Sequence, residues 1–519
     1  MLLLSDGTVM AQDGGFNTNN EIYWYQLKPD TTGSYVNGSW KALSPMHVIR
    51  QMFGSQILRD GRLFIAGDEN RGNGKSAEIY NPLTDSWTLL PTAGVGFADA
   101  ESAMLPDGRV LVSPVGWLPY PAYISTIYDP LANSWSFPGS ALAYQDEASW
   151  VKLPDDSILT IDDNAKTSER FIPSLGQWIK DAAVPVGMYV NGETGPGLLL
   201  PNGRAFYLGA SGHTVVYIPS PSGGTNEGTW VQGPDIPAGR VTADAPAVMM
   251  PNGKILCAVG PTAANGGSPA PTWFYEFDHT DHTANTNGSF APVASPGNVT
   301  VGSSYSSKTV TTLFLNLPDG TVLFSTFGNQ LYVYQPDTGP LSAGKPTVAR
   351  ITPNIAGVSY HLTGTKLNGI SAGSAFGDER QDASNYPLVR LSNNGSTYYA
   401  RTYNWSSTGV MTGSIPETTD FSVPGTVPPG TYSLVVVANG NPSDPVSFTY
   451  NGPVWVDFSN TIGAENGSYA QPYDSLVKGT NNVSTGGTIA IKPGSSLETM
   501  TIGKPMTITA VGGDATVGQ

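Results

Sequence analysis

One cysteine, Cys257, stands among 519 residues, so no disulfide can form within the chain. It lies in the apolar run Lys254-Ile-Leu-Cys-Ala-Val259, which predicts a small, buried, unreactive side chain. A single cysteine leaves the redox compartment open. Charge is also scarce: 13% of residues are ionisable, 25 basic against 41 acidic, for a net charge of −16. The basic footprint that nucleic acid binding requires is missing. The acidic excess favours solubility and attracts cations. No apolar run reaches the length of a membrane span. No signal-peptide pattern opens the chain, because Met1 is followed at once by Leu2-Leu3-Leu4. There is no Gly-x-Ser-x-Gly on a strand-to-helix turn, and no phosphate-cradling glycine loop follows a strand and opens a helix.

Glycine and proline are plentiful, 61 and 42 residues, as befits a turn-rich all-β protein. The length predicts two to four domains. Seven turns recur, at Asp6-Gly7, Asp60-Gly61, Asp107-Gly108, Asp155-Asp156, Asn202-Gly203, Asn252-Gly253 and Asp319-Gly320. Apolar runs flank each one, such as Ala103-Met-Leu105 before and Arg109-Val-Leu-Val112 after. Such turns between apolar runs predict hairpins with positive φ at both central residues. An aromatic-bearing strand follows, as in Ala77-Glu-Ile-Tyr80, and a closing tryptophan ends the first five units: Trp40, Trp87, Trp135, Trp178 and Trp230. Phe290 takes that place in the sixth unit, and the seventh has no aromatic there. The period of roughly 47–67 residues fits four-stranded propeller blades. Closing seven such blades into a ring removes exposed sheet edges.

Three regions follow from these patterns. Residues 1–339 are expected to form a seven-bladed propeller, with surface insertions at Pro261–Thr272 and Asp278–Ser289 in the sixth unit. Residues 340–452 read as an immunoglobulin-like β-sandwich, with Thr431-Tyr-Ser-Leu-Val-Val-Val437 as a buried strand. Residues 453–519 read as a short helix, Pro472–Lys478, followed by the first coils of a right-handed parallel β-helix. Its strands are expected at Gly487–Lys492, Glu498–Ile502, Met506–Thr509 and Ala515–Val517. The first repeat lacks the residues that precede the turn in the others, so the sequence is expected to begin partway through a blade. The solenoid is expected to continue past Gln519. This organisation predicts an extracellular or cell-surface protein, secreted from a longer precursor.

The repeats resemble kelch-type blades, and propeller plus sandwich is similar to the galactose oxidase and glyoxal oxidase family over residues 1–450. The C-terminus resembles the start of a pectate-lyase-like β-helix. The first resemblance implies a copper radical centre. Its copper is held by two tyrosines and two histidines, with one tyrosine crosslinked to a cysteine and a tryptophan stacked on the crosslink. Counting back from the blade turns, the cysteine falls on Gly54 and the crosslinked tyrosine on Asp99. The Tyr-His pair falls on Val310-Thr311, and the sandwich histidine has no counterpart after His361. Only the tryptophan has a match, Trp117. Copper(II) takes nitrogen and oxygen donors, which Gly, Val and Thr side chains cannot replace, so the sequence argues against copper.

The same counting brings other side chains to the channel mouth. Two positions per blade point there: Gln51 and Met52, Ala98 and Asp99, Asp146 and Glu147, Glu193 and Thr194, Ala243 and Asp244, Val310 and Thr311. Asp99, Asp146, Glu147, Glu193 and Asp244 form an acidic cluster, with Glu101 close by. Crowded carboxylates raise one another's pKa unless something compensates. Such oxygens can bind Ca²⁺, act as an acid and base pair on a glycosidic bond, or hold sugar hydroxyls beside a stacking Trp117. They can also simply face water or bond backbone amides across blades. His279 and His282 share a polar loop with no third ligand in view, which reads as a solvated segment. The leading expectation is an extracellular polysaccharide-binding or adhesion protein. Its ligand site would be Trp117, Glu101, Asp146 and Asp244, with no cofactor. The alternative is a glycan hydrolase or lyase using Asp99, Glu147 and Glu193, and a third is a spacer in a longer surface protein.

Overall fold

The computed structural model describes residues 1–518, apart from 15–19, 69–73, 97–100, 113–123, 144, 146–147, 163–165, 191–192, 263–267, 282–286 and 377–381. The chain is nearly all β, and its first two thirds form a seven-bladed propeller. Blade one is the antiparallel sheet Leu2–Leu3, Val9–Gln12, Trp24–Lys28 and Ser39–Ala42, so all four strands of the first unit are present. Blades two to six repeat that order, and blade seven has three strands, Leu313–Asn316, Val322–Ser325 and Tyr332–Tyr334.

The seven turns join the first and second strands as expected, but with a different geometry. Only the second turn residue has positive φ: Gly7 (77°), Gly61 (80°), Gly108 (90°), Asp156 (65°), Gly203 (80°), Gly253 (87°) and Gly320 (91°). In blade one Gly7 N–H donates to Leu4 O at 3.0 Å and Leu4 N–H to Thr8 O at 2.8 Å. This is a three-residue loop, a type I turn closed by a left-handed residue, rather than a mirror-image two-residue turn. The acidic or amide residue is selected by its side chain. Asp6 Oδ1 accepts from Thr8 N–H at 3.0 Å, and Asp60, Asp107, Asp155, Asn202, Asn252 and Asp319 repeat that bond.

The closing aromatics all lie on fourth strands, and Trp87, Trp135, Trp178 and Trp230 each fasten their blade to the one before it. Trp87 packs on Tyr80 of its own blade at 5.0 Å and donates Nε1–H to Ser44 O of blade one at 2.9 Å. Trp135 donates to Pro91 O, Trp178 to Ser125 Oγ and Trp230 to Ser168 Oγ. Burying the indole while satisfying its N–H explains why the position takes tryptophan. Cys257 is fully buried in blade six, and burial pushes its thiol up to about 12.

Residues 347–450 form one antiparallel network of strands, with Leu362, Leu391, Phe421, Leu434 and Val436 in its core. It sits on the turn face of the propeller. A Cβ on Gly7 would lie 2.6 Å from the Tyr399 ring, Thr402 N–H donates to Ser5 O at 3.0 Å, and Thr408 Oγ1 donates to Leu105 O at 3.0 Å. Lys152 is buried at this junction, donating to Met104 O and Thr408 O at 2.6 and 2.7 Å, and desolvation lowers its pKa to about 8. Residues of the same region also reach the blades. Ser374–Ala375 pairs with the inner strand of blade six, and Asp382 meets the amino group of Met1 at 3.6 Å.

Beyond Pro453 the pairing turns parallel: Val454–Val456 pairs Thr488–Ile491, which pairs Thr507–Ala510, and Gly494–Ser496 pairs Ala515–Val517. The helix runs Leu476–Asn482, four residues later than expected. Tyr473 bridges to Val456 in the parallel sheet, and Ser475 caps the helix by accepting from Lys478 N–H. Glu498–Ile502 is not a strand: Glu498 instead accepts from the first helical amides, Leu476 and Val477.

Candidate functional site at the propeller mouth

With the turns against residues 347–450, the opposite face carries the loops that enter each blade. Buried glutamates in the third strands anchor two of these loops. In blade two, Glu78 accepts from His47 N–H at 3.1 Å, Val48 N–H at 3.2 Å and Arg50 at 3.3 Å. In blade four, Glu169 stands at the same repeat position and accepts from Leu142 N–H at 2.7 Å, Ala143 N–H at 3.3 Å and Gln145 Nε2 at 2.7 Å. Burial beside Asp162 raises the Glu169 pKa to about 7. Neither glutamate follows from the sequence reading, although each stands two residues before the strand's aromatic, Tyr80 or Phe171, and that shared spacing is a readable signal.

Of the seven residues expected at the site, Asp99, Trp117, Asp146 and Glu147 lie outside the described residues, as does His282. Glu101 is buried and accepts from Trp150 N–H at 3.4 Å. Glu193 closes a tight turn, its backbone exchanging hydrogen bonds with Val190 at 2.9 and 3.2 Å. Asp244 accepts from Ser268 Oγ at 3.1 Å. Met52 and Asp244 stand at the same repeat position, and both adopt left-handed backbone, φ 45° and 44°.

In blade two, Gln51 and Met52 border a cavity of about 470 Å³ between blades seven and one. At its mouth end Phe53 and Phe327 share the lining with Gln12, Asp13, Glu21 and Asp382. Three of the polar side chains are held by hydrogen bonds: Gln51 Nε2 donates to Glu21 Oε1 at 2.8 Å, and Gln12 Nε2 donates to Arg50 O at 2.7 Å. Tyr25 and Trp40 line its outer end. A second cavity, about 70 Å³, lies deeper in the channel between Lys152, Tyr386 and Trp405. Ser371 there belongs to Gly369-Ile-Ser-Ala-Gly373, but it lies in a loop with no helix behind it and accepts from Gly373 N–H.

No protein-family profile matches the sequence, and no curated protein matches it either. Among solved structures, the fold matches a fungal alcohol oxidase, described as having catalytic diversity among the AA5 family and as a complex with copper. The TM-score is 0.50 at 14% identity, covering 87% of this chain and 96% of that one. The chain has a galactose oxidase-like propeller fold.

Of the positions that the resemblance assigns to the copper centre, Gly54 and Val310-Thr311 are described, and Asp99 and Trp117 lie outside the described residues. Gly54 is paired with Ala66 in a strand, and Val310-Thr311 lies in a short 3₁₀ turn with Thr311 Oγ1 donating to Lys308 O at 2.9 Å. Three histidines are committed elsewhere, His47 to Glu78, His213 to Asp235 and His361 to Asp420, each at 2.8 Å. Among the described residues, no group of three His, Cys, Asp or Glu side chains is placed to hold a metal ion. No described helix is long and apolar enough to cross a membrane.

Proposed function

We propose that the protein binds a carbohydrate polymer through the mouth end of the cavity between blades seven and one. The observation that carries this reading is that Phe53 and Phe327 share one cavity of about 470 Å³ with Asp13 and with the hydrogen-bonded Gln12, Glu21 and Gln51. Sugar rings offer apolar C–H faces that stack on aromatic rings, and vicinal hydroxyls that bond carboxylates and amides. Trp117, which the sequence places on the same face, would extend the platform. Such a ligand belongs at or beyond the cell surface.

The test is titration calorimetry against a panel of purified polysaccharides with wild type and Phe327→Ala. Saturable binding is expected, weakened about tenfold, or about 1.4 kcal/mol, in the variant with its melting unchanged. Failure of every polymer to bind overturns the reading.

A further inference from the structure

We propose that blade four binds a hard divalent cation, Ca²⁺, between the buried carboxylates of Asp162 and Glu169, where blade two uses the guanidinium of Arg50. The two blades share one frame here. Glu78 stands opposite Ile65 and Glu169 opposite Thr160 in the same register, so Gly67 and Ser76 of blade two correspond to Asp162 and Thr167 of blade four. The backbone bond between them recurs, Gly67 N–H to Ser76 O at 3.2 Å and Asp162 N–H to Thr167 O at 3.0 Å. The amides of His47 and Val48 on Glu78 likewise match those of Leu142 and Ala143 on Glu169, which puts Gln145 in the place of Arg50.

In blade two the guanidinium fills a cage of oxygens. Arg50 is fully buried and donates to Gly67 O at 2.9 Å, Ser76 O at 2.6 Å, Ser76 Oγ at 2.9 Å and Glu78 Oε1 at 3.3 Å. Blade four lacks that positive charge and carries an extra negative one. Gln145 is neutral, and its amide is spent on Glu169 at 2.7 Å and on Trp150 Nε1 at 3.1 Å. Asp162 stands where blade two has glycine, and it is 4% exposed beside the fully buried Glu169. Its carboxylate reaches the side chains of Thr167 and Glu169, yet its Oδ1 is buried without a hydrogen-bond partner. Among the described residues, no Lys, Arg or His pairs with either carboxylate.

Two adjoining carboxylates in a low-dielectric interior need a positive counter-charge. The orphaned Oδ1, the Glu169 carboxylate, and the carbonyl and hydroxyl oxygens of Asp162 and Thr167 make an all-oxygen set, which suits a hard cation. Ca²⁺ takes such a mixture in irregular geometry, whereas Mg²⁺ demands a near-ideal octahedron. Two carboxylates balance its charge, and main-chain and water oxygens complete its shell, so no third acidic ligand is required. Without the ion, a proton on the pair is the alternative counter-charge. Because Glu169 also holds the amides of Leu142 and Ala143, the ion ties the second and third strands of blade four to the loop that enters it.

The test is calorimetric titration of chelator-treated protein with calcium chloride, beside melting temperatures taken in calcium and in EDTA. Saturable binding of a single ion per chain is expected, and calcium should raise the melting temperature. Asp162→Asn should bind calcium at least about tenfold more weakly. Gln145→Arg supplies the guanidinium of blade two, so it should lose calcium binding and melt in EDTA no lower than wild type does. That second variant separates loss of the ion from loss of the fold. The proposal is overturned if the wild-type protein takes up no calcium. It is also overturned if either variant binds calcium as tightly as wild type, since the ion would then lie elsewhere.

Discussion

Trp87 donates its indole N–H to the carbonyl of Ser44 in the neighbouring blade at 2.9 Å, with its ring 5.7 Å from Trp24. One side chain thus closes its own blade and fastens it to the previous one. Trp87→Ala should cost about 3–5 kcal/mol, as removal of a buried aromatic does. Trp40→Ala, at the open place in blade one, should cost under about 1 kcal/mol. Urea unfolding of both variants checks the contrast, and equal losses would contradict it.

Gly7 serves a turn and a contact at once, with φ of 77° and the Tyr399 ring where a Cβ would stand. Gly7→Ala is expected to destabilise by about 1–3 kcal/mol through backbone strain and displacement of the ring. Limited proteolysis should then release residues 347–518 earlier than in wild type. Gly94→Ala, at a positive φ with open space around it, should show the strain alone.

The buried Glu169 sets a pH dependence. Its folded pKa, about 7, lies above the ordinary 4.5, so the native state holds the proton more tightly than the unfolded chain. Stability from this group is full below about pH 4.5, falls as pH rises to about 7, and is flat above. Asp162, also raised by burial, acts in the same direction. Glu169→Gln should reduce that slope in melting temperatures taken between pH 5 and 8. An unchanged slope would mean that Glu169 is not its source.

The ring of blades was legible because turn, strand and closing aromatic recur at fixed spacing, and each reports a local physical demand. Turn type was harder to read: Asp-Gly suits both a two-residue loop and a three-residue one, and the choice rests on the Asp side-chain bond to the amide two residues on. The helix start was misplaced because Pro472 and Tyr473 look like a first turn, while Tyr473 is held in a parallel pair. At the mouth, counting found Gln51 and Met52 but missed Glu21, Phe53 and Phe327, which sit outside the repeated positions. Nor could spacing show that residues 374–375 join blade six, since that pairing spans more than a hundred residues of chain.

Hydrogen–deuterium exchange with and without a polysaccharide that binds tests the central claim most directly, because it reports where the ligand sits. The account predicts slowed exchange in residues 11–14, 21–25, 51–55 and 325–329, the segments bordering the mouth end of the cavity. Protection confined to other blades, or to residues 453–518, would contradict it.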